Sequence, residues 1–448
     1  MSTVSSNSDV HHPSPENRAS AQSHGIARVA PGEIAIGVVI GRLSEFFDFF
    51  VFGIASVLVF PSVFFPFVDA KTGTMYSFTL FALAFVARPI GSLLFRLIHT
   101  WYGRGTKLTV ALFMLGTATA GIAFLPTYAE VGEISIILLA LFRFAQGIAL
   151  GGSWDGLPSL LALNAPEKKR GWYAMIPQLG APLGFMLAAA LFAYLYSSLS
   201  TADFSSWGWR YPFYVAFAIN VVALFARLRL VMTPEFSELL KRRELVPSPL
   251  GELFRLQGAN IVLGALAPLA SYALFHLVTV FPLSWVTLFS KESVTEYLLV
   301  QIAGAAIAVV TMLASGKIAD HLGRRTTLGI GAVLIAIFSL VGMLPLFAKG
   351  TTTGAYTFIL VGFALLGFSH AQAAGAVNSS FASRYRYSGA VLTSDLGWLA
   401  GAAFAPLVAL SIASHFGVGY VGLYLLSGAI GTLLALRVNR SLEMRDDE

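Results

Sequence analysis

Gly41-Arg42-Leu43-Ser44-Glu45-Phe46-Phe47-Asp48-Phe49-Phe50 lies inside a long apolar run, residues 33–60, and its reading decides the fold. A run of that length crosses a bilayer as a helix, because about 20 apolar residues span about 30 Å of hydrocarbon. Three ionisable side chains interrupt it at three-residue spacing: Arg42, Glu45 and Asp48. On a helix they share one broad face, each about 60° from the next. Each costs about 3 kcal/mol at mid-membrane, so three cost about 9 kcal/mol if left unpaired. A chain carries that cost only where the face looks into protein or water. The stretch therefore predicts a polar pathway through a helix bundle. The plainer alternative is that Arg42 and Glu45 form a structural bridge near one helix end. Asp48 is deeper and has phenylalanines on both sides, so the pathway reading fits it better.

Composition sets the class. The 448 residues are 56% hydrophobic and only 12% charged, against about 25% charged in soluble proteins. Mean hydropathy is +0.74. This is a polytopic, all-α membrane protein. Without cysteine, disulfides, thiol catalysis and cysteine metal sites are excluded. The net charge of +6 is not a nucleic-acid footprint, because the basic residues sit in loops between apolar segments. Residues 1–31 are polar and read as a disordered tail.

Apolar segments of spanning length recur at 33–60, 75–99, 107–126, 134–163, 171–198 and 210–231, then at 259–289, 294–318, 326–347, 353–381, 388–413 and 417–437. That predicts twelve spans: a bundle over 32–231, a linker over 232–258, a bundle over 259–437 and a tail over 438–448. The near-equal halves point to duplication. Gly103-Arg104 after the second span and Gly323-Arg324 after the eighth, 220 positions apart, support it.

Loop charge predicts orientation. With the N-terminus inside, inner loops hold Arg96, Arg104 and Lys107; Lys168, Lys169 and Arg170; Lys317, Arg324 and Arg325; and Arg384 and Arg386. Outer loops hold only Lys71, Lys291 and Lys349. Both termini are expected in the cytoplasm.

Few other ionisable groups lie at membrane depth: Arg143 and Asp155 in the fourth span, His276 in the seventh, His370 in the tenth and Asp395 in the eleventh. Arg143 keeps its proton and needs an anion nearby, for which Asp48 is the expected partner. A carboxylate that alternates between an arginine and an apolar setting makes a proton switch. Gln146, Gln178, Trp154 and Trp398 complete the candidate ligand-binding set. No nucleotide-binding or hydrolytic motif is present, so the chain reads as neither enzyme nor ATP-driven pump.

Gly316-Lys-Ile-Ala-Asp320-His-Leu-Gly323-Arg324-Arg325 resembles the signature loop of the major facilitator superfamily, and Arg143-Phe-Ala-Gln146-Gly147 resembles its fourth-helix motif. More narrowly, Glu45-Phe-Phe-Asp48-Phe49, Arg88-Pro89-x-Gly91, Gly151-Gly152-x-Trp154, Trp207-Gly-Trp209-Arg210-x-Pro212-Phe213 and Arg386-Tyr387-Ser388-Gly389 resemble the metabolite:proton symporters. That branch carries citrate, 2-oxoglutarate, shikimate, other carboxylates, and proline or betaine. The resemblance implies two six-helix bundles, a central cavity and alternating access. It also shows departures. Thr100 stands where the first-half loop has Asp, Ser153 where the fourth-span motif has Glu, and Ser379 where a later motif has Glu, while Asp155 is a new acid.

The expectation is a monomeric, multi-pass inner-membrane transporter that imports a small organic acid with protons. It needs no cofactor beyond the proton gradient, and its partners are substrate, protons and lipid. Asp48, Glu45 and Arg143 would couple protons. Arg42, Arg143, Gln146, Trp154, Gln178, His276, His370, Asp395 and Trp398 would meet the substrate. Arg104, Asp320, Gly323, Arg324 and Arg325 would gate the cytoplasmic side, mainly through the second-half loop. Export or antiport of an amphiphilic compound is the alternative, with a transport-dead sensor a further one.

Overall fold

The computed structural model describes residues 31–153, 158, 161, 165–231, 247–290, 292–342, 346–347, 350–373, 381 and 383–438. Among these there is no strand. Trp154, Asp155 and Ser379 fall outside them.

The first span is Pro31–Leu58. Ala70–Ala123 is continuous by hydrogen bonding over 54 residues, about 81 Å of helix. That is far longer than a bilayer core, so it must be two spans, and the break is at Gly103. Its φ of 82° lies in the left-handed region that only glycine enters cheaply. Gly323, φ 83°, makes the same turn between Val294–Leu322 and Arg324–Val341, the eighth and ninth spans. The 220-residue repeat is thus a repeat of backbone geometry.

The fourth span is Glu133–Gly152, and the fifth is Arg170–Met175, Ile176–Leu179 and Gly180–Ser198 run together. Tyr211–Val231 is the sixth. The seventh comprises Leu250–Leu266, Leu269–Val278 and Val280–Phe289. Its helix begins at Leu250, inside the segment expected to be linker; Glu252 and Arg255 give this amphipathic turn a linker's composition. Its break at Thr279 (φ −106°, ψ −80°) frees two carbonyls. Gln301 Nε2 donates to both, to Val278 at 2.8 Å and Thr279 at 2.6 Å. Thr352–His370, Arg386–Gly401 with Ala405–Phe416, and Val421–Val438 are the tenth to twelfth.

Ten helical stretches among the described residues are long and apolar enough to span. Ala70–Ala123 counts as two, and the charge-bearing first span brings the total to twelve. Close packing within each half uses missing side chains. A Cβ at Gly91 would come within 2.1 Å of the Ile148 carbonyl oxygen, and one at Gly151 within 2.2 Å of the Arg88 carbonyl oxygen, so the second and fourth spans touch backbone to backbone.

The two halves meet at both ends. At the Gly103–Gly323 end, Asp320 accepts from the Trp172 N–H at 3.0 Å and Lys107 donates to the Tyr387 hydroxyl at 3.1 Å. In the opposite half, Phe50 stacks on Phe275 at 5.5 Å and Gly53 faces Val280. The charges of the first span lie between these two sets of contacts.

Candidate substrate cavity and proton site

Glu45 holds two guanidinium groups. Arg42, one turn back, donates to Oε2 at 2.8 Å, and Arg227 of the sixth span donates to Oε1 at 2.9 Å. Ser153 hydroxyl donates to Oε1 at 3.0 Å, and the Ser153 carbonyl accepts from Arg227 Nη2 at 2.5 Å. Arg42 and Glu45 do form a bridge, but within a larger cluster. Arg42 also lies over the Phe46 ring, 4.9 Å from its centre.

Asp48 is 2% exposed. Thr119 donates to its Oδ1 at 2.7 Å and Gln146 Nε2 to its Oδ2 at 3.3 Å. Arg143, 0% exposed, does not reach it. Arg143 Nη1 donates to Gln146 Oε1 at 3.1 Å, and Nε and Nη2 donate weakly to the Phe81 carbonyl at 3.4 Å. The expected Asp48–Arg143 ion pair is replaced by a relay through Gln146. The phenylalanines explain how the cation tolerates this. Arg143 Cζ is 3.9 Å from the centre of Phe52, 5.2 Å from Phe81 and 5.6 Å from Phe49. A desolvated cation–π contact is worth about 2 kcal/mol.

The second half supplies no cation to this centre among the described residues. Asp395 pairs with Arg88 of the second span at 2.7 Å and accepts from Ser92 at 2.5 Å. Trp398 stacks on Tyr272 at 4.2 Å. His276 and His370 are fully buried, and neither nitrogen of either ring has a hydrogen-bond partner among the described residues. His276 packs among Phe49, Phe81, Phe85 and Phe275, and His370 among Tyr272, Phe275 and Trp398. An unsatisfied buried polar group costs about 1–3 kcal/mol, so both are placed to take a partner. Gln178 is buried in the fifth span, beside Gly180, whose missing side chain lets the first span approach at Arg42.

Two cavities share Arg42, Glu45, Arg88 and Leu150. One, about 340 Å³, adds Phe46, Phe49, Phe85 and Trp398, and the other, about 350 Å³, adds Ser153 and Arg227. A third, about 420 Å³, opens toward the Gly103 end and is lined by Ser92, Arg96, His99, Lys107 and Tyr387. Arg88 and Ser92 stand between the central cavities and this vestibule.

The gating residues divide. Asp320 ties the eighth span to the start of the fifth, but through a backbone N–H, without Arg324 or Arg325. Arg325 donates instead to the Leu436 carbonyl of the twelfth span at 2.6 Å, inside its own half. Gly323 makes the turn, Arg324 opens the ninth span and Arg104 lies in the matching first-half turn. Thr100 bonds back to the Arg96 carbonyl of its own helix. The first half is nonetheless latched, one to three turns deeper, by Arg88, Ser92 and Lys107.

Arg227, Arg88, Ser92, Lys107 and Tyr387 were not legible as site residues. Lys107 counts as a loop base in the sequence yet is 5% exposed. Arg88 and Tyr387 carried a signal only through the motifs they belong to, and Arg227 carried one as an arginine inside the sixth apolar run.

A model of the Major Facilitator Superfamily matches residues 38–394. The chain belongs to this superfamily. It is 36% identical over 411 residues to an inner membrane metabolite transport protein of Escherichia coli K12, covering 90% of this chain and 93% of that one. It is 27% identical over 406 residues to the shikimate transporter of the same organism, covering 88% and 91%. Its fold is similar to that of a D-xylose–proton symporter, with a TM-score of 0.70 at 19% identity over 91% of this chain and 97% of that one. This facilitator is a multi-pass membrane transporter of small molecules and not an enzyme.

Proposed function

We propose that this facilitator imports a small organic acid together with protons across the inner membrane by alternating access, as a monomer with both termini in the cytoplasm. One observation carries the substrate's sign. Among the described residues, Arg42, Arg88 and Arg227 line the central cavities against Glu45 alone, and Asp395 offsets only one more. A positive excess in a low-dielectric site draws an anion, and guanidinium groups hold carboxylates in a fork. The shikimate transporter among the relatives accords with a carboxylate.

Asp48 is the proposed proton carrier. Among the described residues it is an acid without a direct cationic partner, joined to Arg143 only through Gln146, so its charge is free to change without breaking an ion pair. Glu45 orients Arg42 and Arg227. The test uses proteoliposomes and a labelled carboxylate found by ligand-induced thermal stabilisation. An inward proton gradient should drive uptake above equilibrium, and Asp48→Asn should lose this accumulation while keeping counterflow. Full accumulation by Asp48→Asn removes that residue from coupling. A gradient effect of opposite sign identifies an antiporter.

A further inference from the structure

We propose that Thr119 is the positioning residue of the proton site: its hydroxyl changes from hydrogen-bond donor to acceptor when Asp48 takes up a proton. This rests on the reading of Asp48 as proton carrier and extends it to the third span. Thr119 is fully buried, and its hydroxyl is committed to Asp48 rather than to its own helix. Along Ala70–Ala123, Thr74, Ser77, Thr79, Thr100 and Thr109 each donate to the carbonyl four residues back. That is the local bond by which a helical hydroxyl satisfies itself. Thr119 instead donates to Asp48 Oδ1 at 2.7 Å and accepts from Gln146 Nε2 at 2.9 Å. Gln146 Nε2 also reaches Asp48 Oδ2 at 3.3 Å, so the three side chains close a triangle.

The direction of these bonds is fixed from outside the triangle. A guanidinium has donors only, and Arg143 Nη1 lies 3.1 Å from Gln146 Oε1. The amide oxygen therefore faces the arginine, and the amide nitrogen faces Asp48 and Thr119. Gln146 cannot accept from a protonated Asp48 without turning its own donors on the guanidinium. A hydroxyl carries one donor and two acceptor lone pairs and rotates to suit. With Asp48 ionised, Thr119 and Gln146 both donate to it. With Asp48 protonated, its O–H donates to Thr119 Oγ1, and the threonine proton turns to the backbone carbonyl four residues back, the bond other hydroxyls of this helix already make. The charged and titratable groups nearby are otherwise engaged among the described residues. Arg143 acts on Asp48 through Gln146. Glu45 is held by Arg42 and Arg227, Arg88 by Asp395, and His276 packs on Phe49. The sixth span adds only the uncharged Asn220 beside Ser44. A hydrogen bond to an ionised acceptor is about twice as strong as one to a neutral partner, so losing the hydroxyl disfavours the charged form of Asp48 more than the neutral one.

Infrared difference titration of the purified full-length protein tests this on the carboxyl itself. The protonated Asp48 band is the one that Asp48→Asn removes. Thr119→Val keeps the shape and deletes the hydroxyl, and the midpoint of that band should rise by about half to one pH unit. Thr119→Ser, which keeps the hydroxyl, should return the midpoint to that of wild type. A role confined to holding the third span against the first would leave the midpoint where it is. An unchanged midpoint in Thr119→Val therefore overturns the proposal while Asp48 remains the carrier. So does a Thr119→Ser midpoint displaced as far as that of Thr119→Val. If Asp48→Asn removes no titrating band, the carrier reading falls and this inference with it. Should Thr119→Val fail to fold, Thr119→Ala carries the same expectation and the same refutation.

Discussion

Arg88 Nε and Asp395 Oδ1 lie 2.7 Å apart and join the second span to the eleventh across the interface between the two bundles. Arg88 lines the central cavities, and Ser92, which donates to the same carboxylate, lines the vestibule. The pair is therefore a floor beneath the substrate site. It must come apart whenever that end opens, so it stabilises only states closed there.

Asp395→Asn is expected to favour opening at the Gly103–Gly323 end. Removing one partner of a buried pair costs about 3–5 kcal/mol. Solvation through the cavities, which leaves Arg88 side chain 14% exposed, reduces this. A cost of about 2 kcal/mol changes the population about thirty-fold. Spin-label distances between residues near Gly103 and Gly323 should lengthen. An unchanged distribution would show that the pair does not hold the gate.

The link through Gln146 makes a separate prediction. Gln146 is the sole hydrogen-bonded route between Asp48 and Arg143 among the described residues. Gln146→Leu keeps the volume and removes both bonds. Proton-driven accumulation should fall about tenfold or more, with counterflow retained, as expected for Asp48→Asn. Normal accumulation would mean that Asp48 works without Arg143.

Much of this was legible in the sequence, for reasons of solvent. Three charges in one apolar run announce a polar interior, because hydrocarbon solvates no charge. A Gly-Arg pair repeated at 220 residues announces a duplicated turn, because a chain can reverse only where its backbone leaves the lipid. Pairing was less legible. Arg143 and Asp48 are the natural ionic couple by composition, but the Phe52 and Phe81 rings satisfy the cation and Gln146 occupies the space between. Lys107 reads as a loop base because span boundaries blur within a turn or two, and depth at a helix end depends on how the opposite bundle covers it. The start of the seventh span was hidden because an amphipathic turn carrying Glu252 and Arg255 has the composition of a linker.

Asp320 holds the other side of the same gate by accepting from the Trp172 N–H at the start of the fifth span. A carboxylate there also meets the positive end of a helix dipole. Asp320→Ala should favour opening about five- to thirty-fold, equivalent to about 1–2 kcal/mol, and Asp320→Asn, which keeps an acceptor, should do less. Thr100→Asp should change little, because Thr100 is exposed and turned back on its own helix. Equal spin-label distributions for Asp320→Ala and wild type would remove this latch. A large shift in Thr100→Asp would show that the first-half turn has a partner across the interface.

Ser153 stands where the related motif carries a glutamate, and its place beside Glu45 and Arg227 makes the consequence measurable. With serine, Glu45 is the acid shared by Arg42 and Arg227 among the described residues, and the described lining of the cavities keeps a positive excess. Ser153→Glu adds a carboxylate next to Arg227 and cancels that excess. Two unit charges about 5–6 Å apart at an effective dielectric near 20 interact by about 3 kcal/mol. Even partly compensated by Arg227, the new acid should weaken binding of a carboxylate ligand about tenfold or more. Ser153→Ala removes only a hydroxyl donor worth about 1 kcal/mol, so its Kd should change less than about fivefold. Calorimetric titration of wild type and both variants, each first shown by thermal unfolding to be intact, separates charge from shape. A Ser153→Glu protein that binds the carboxylate as tightly as wild type would mean that the three guanidinium groups do not set the sign of the substrate.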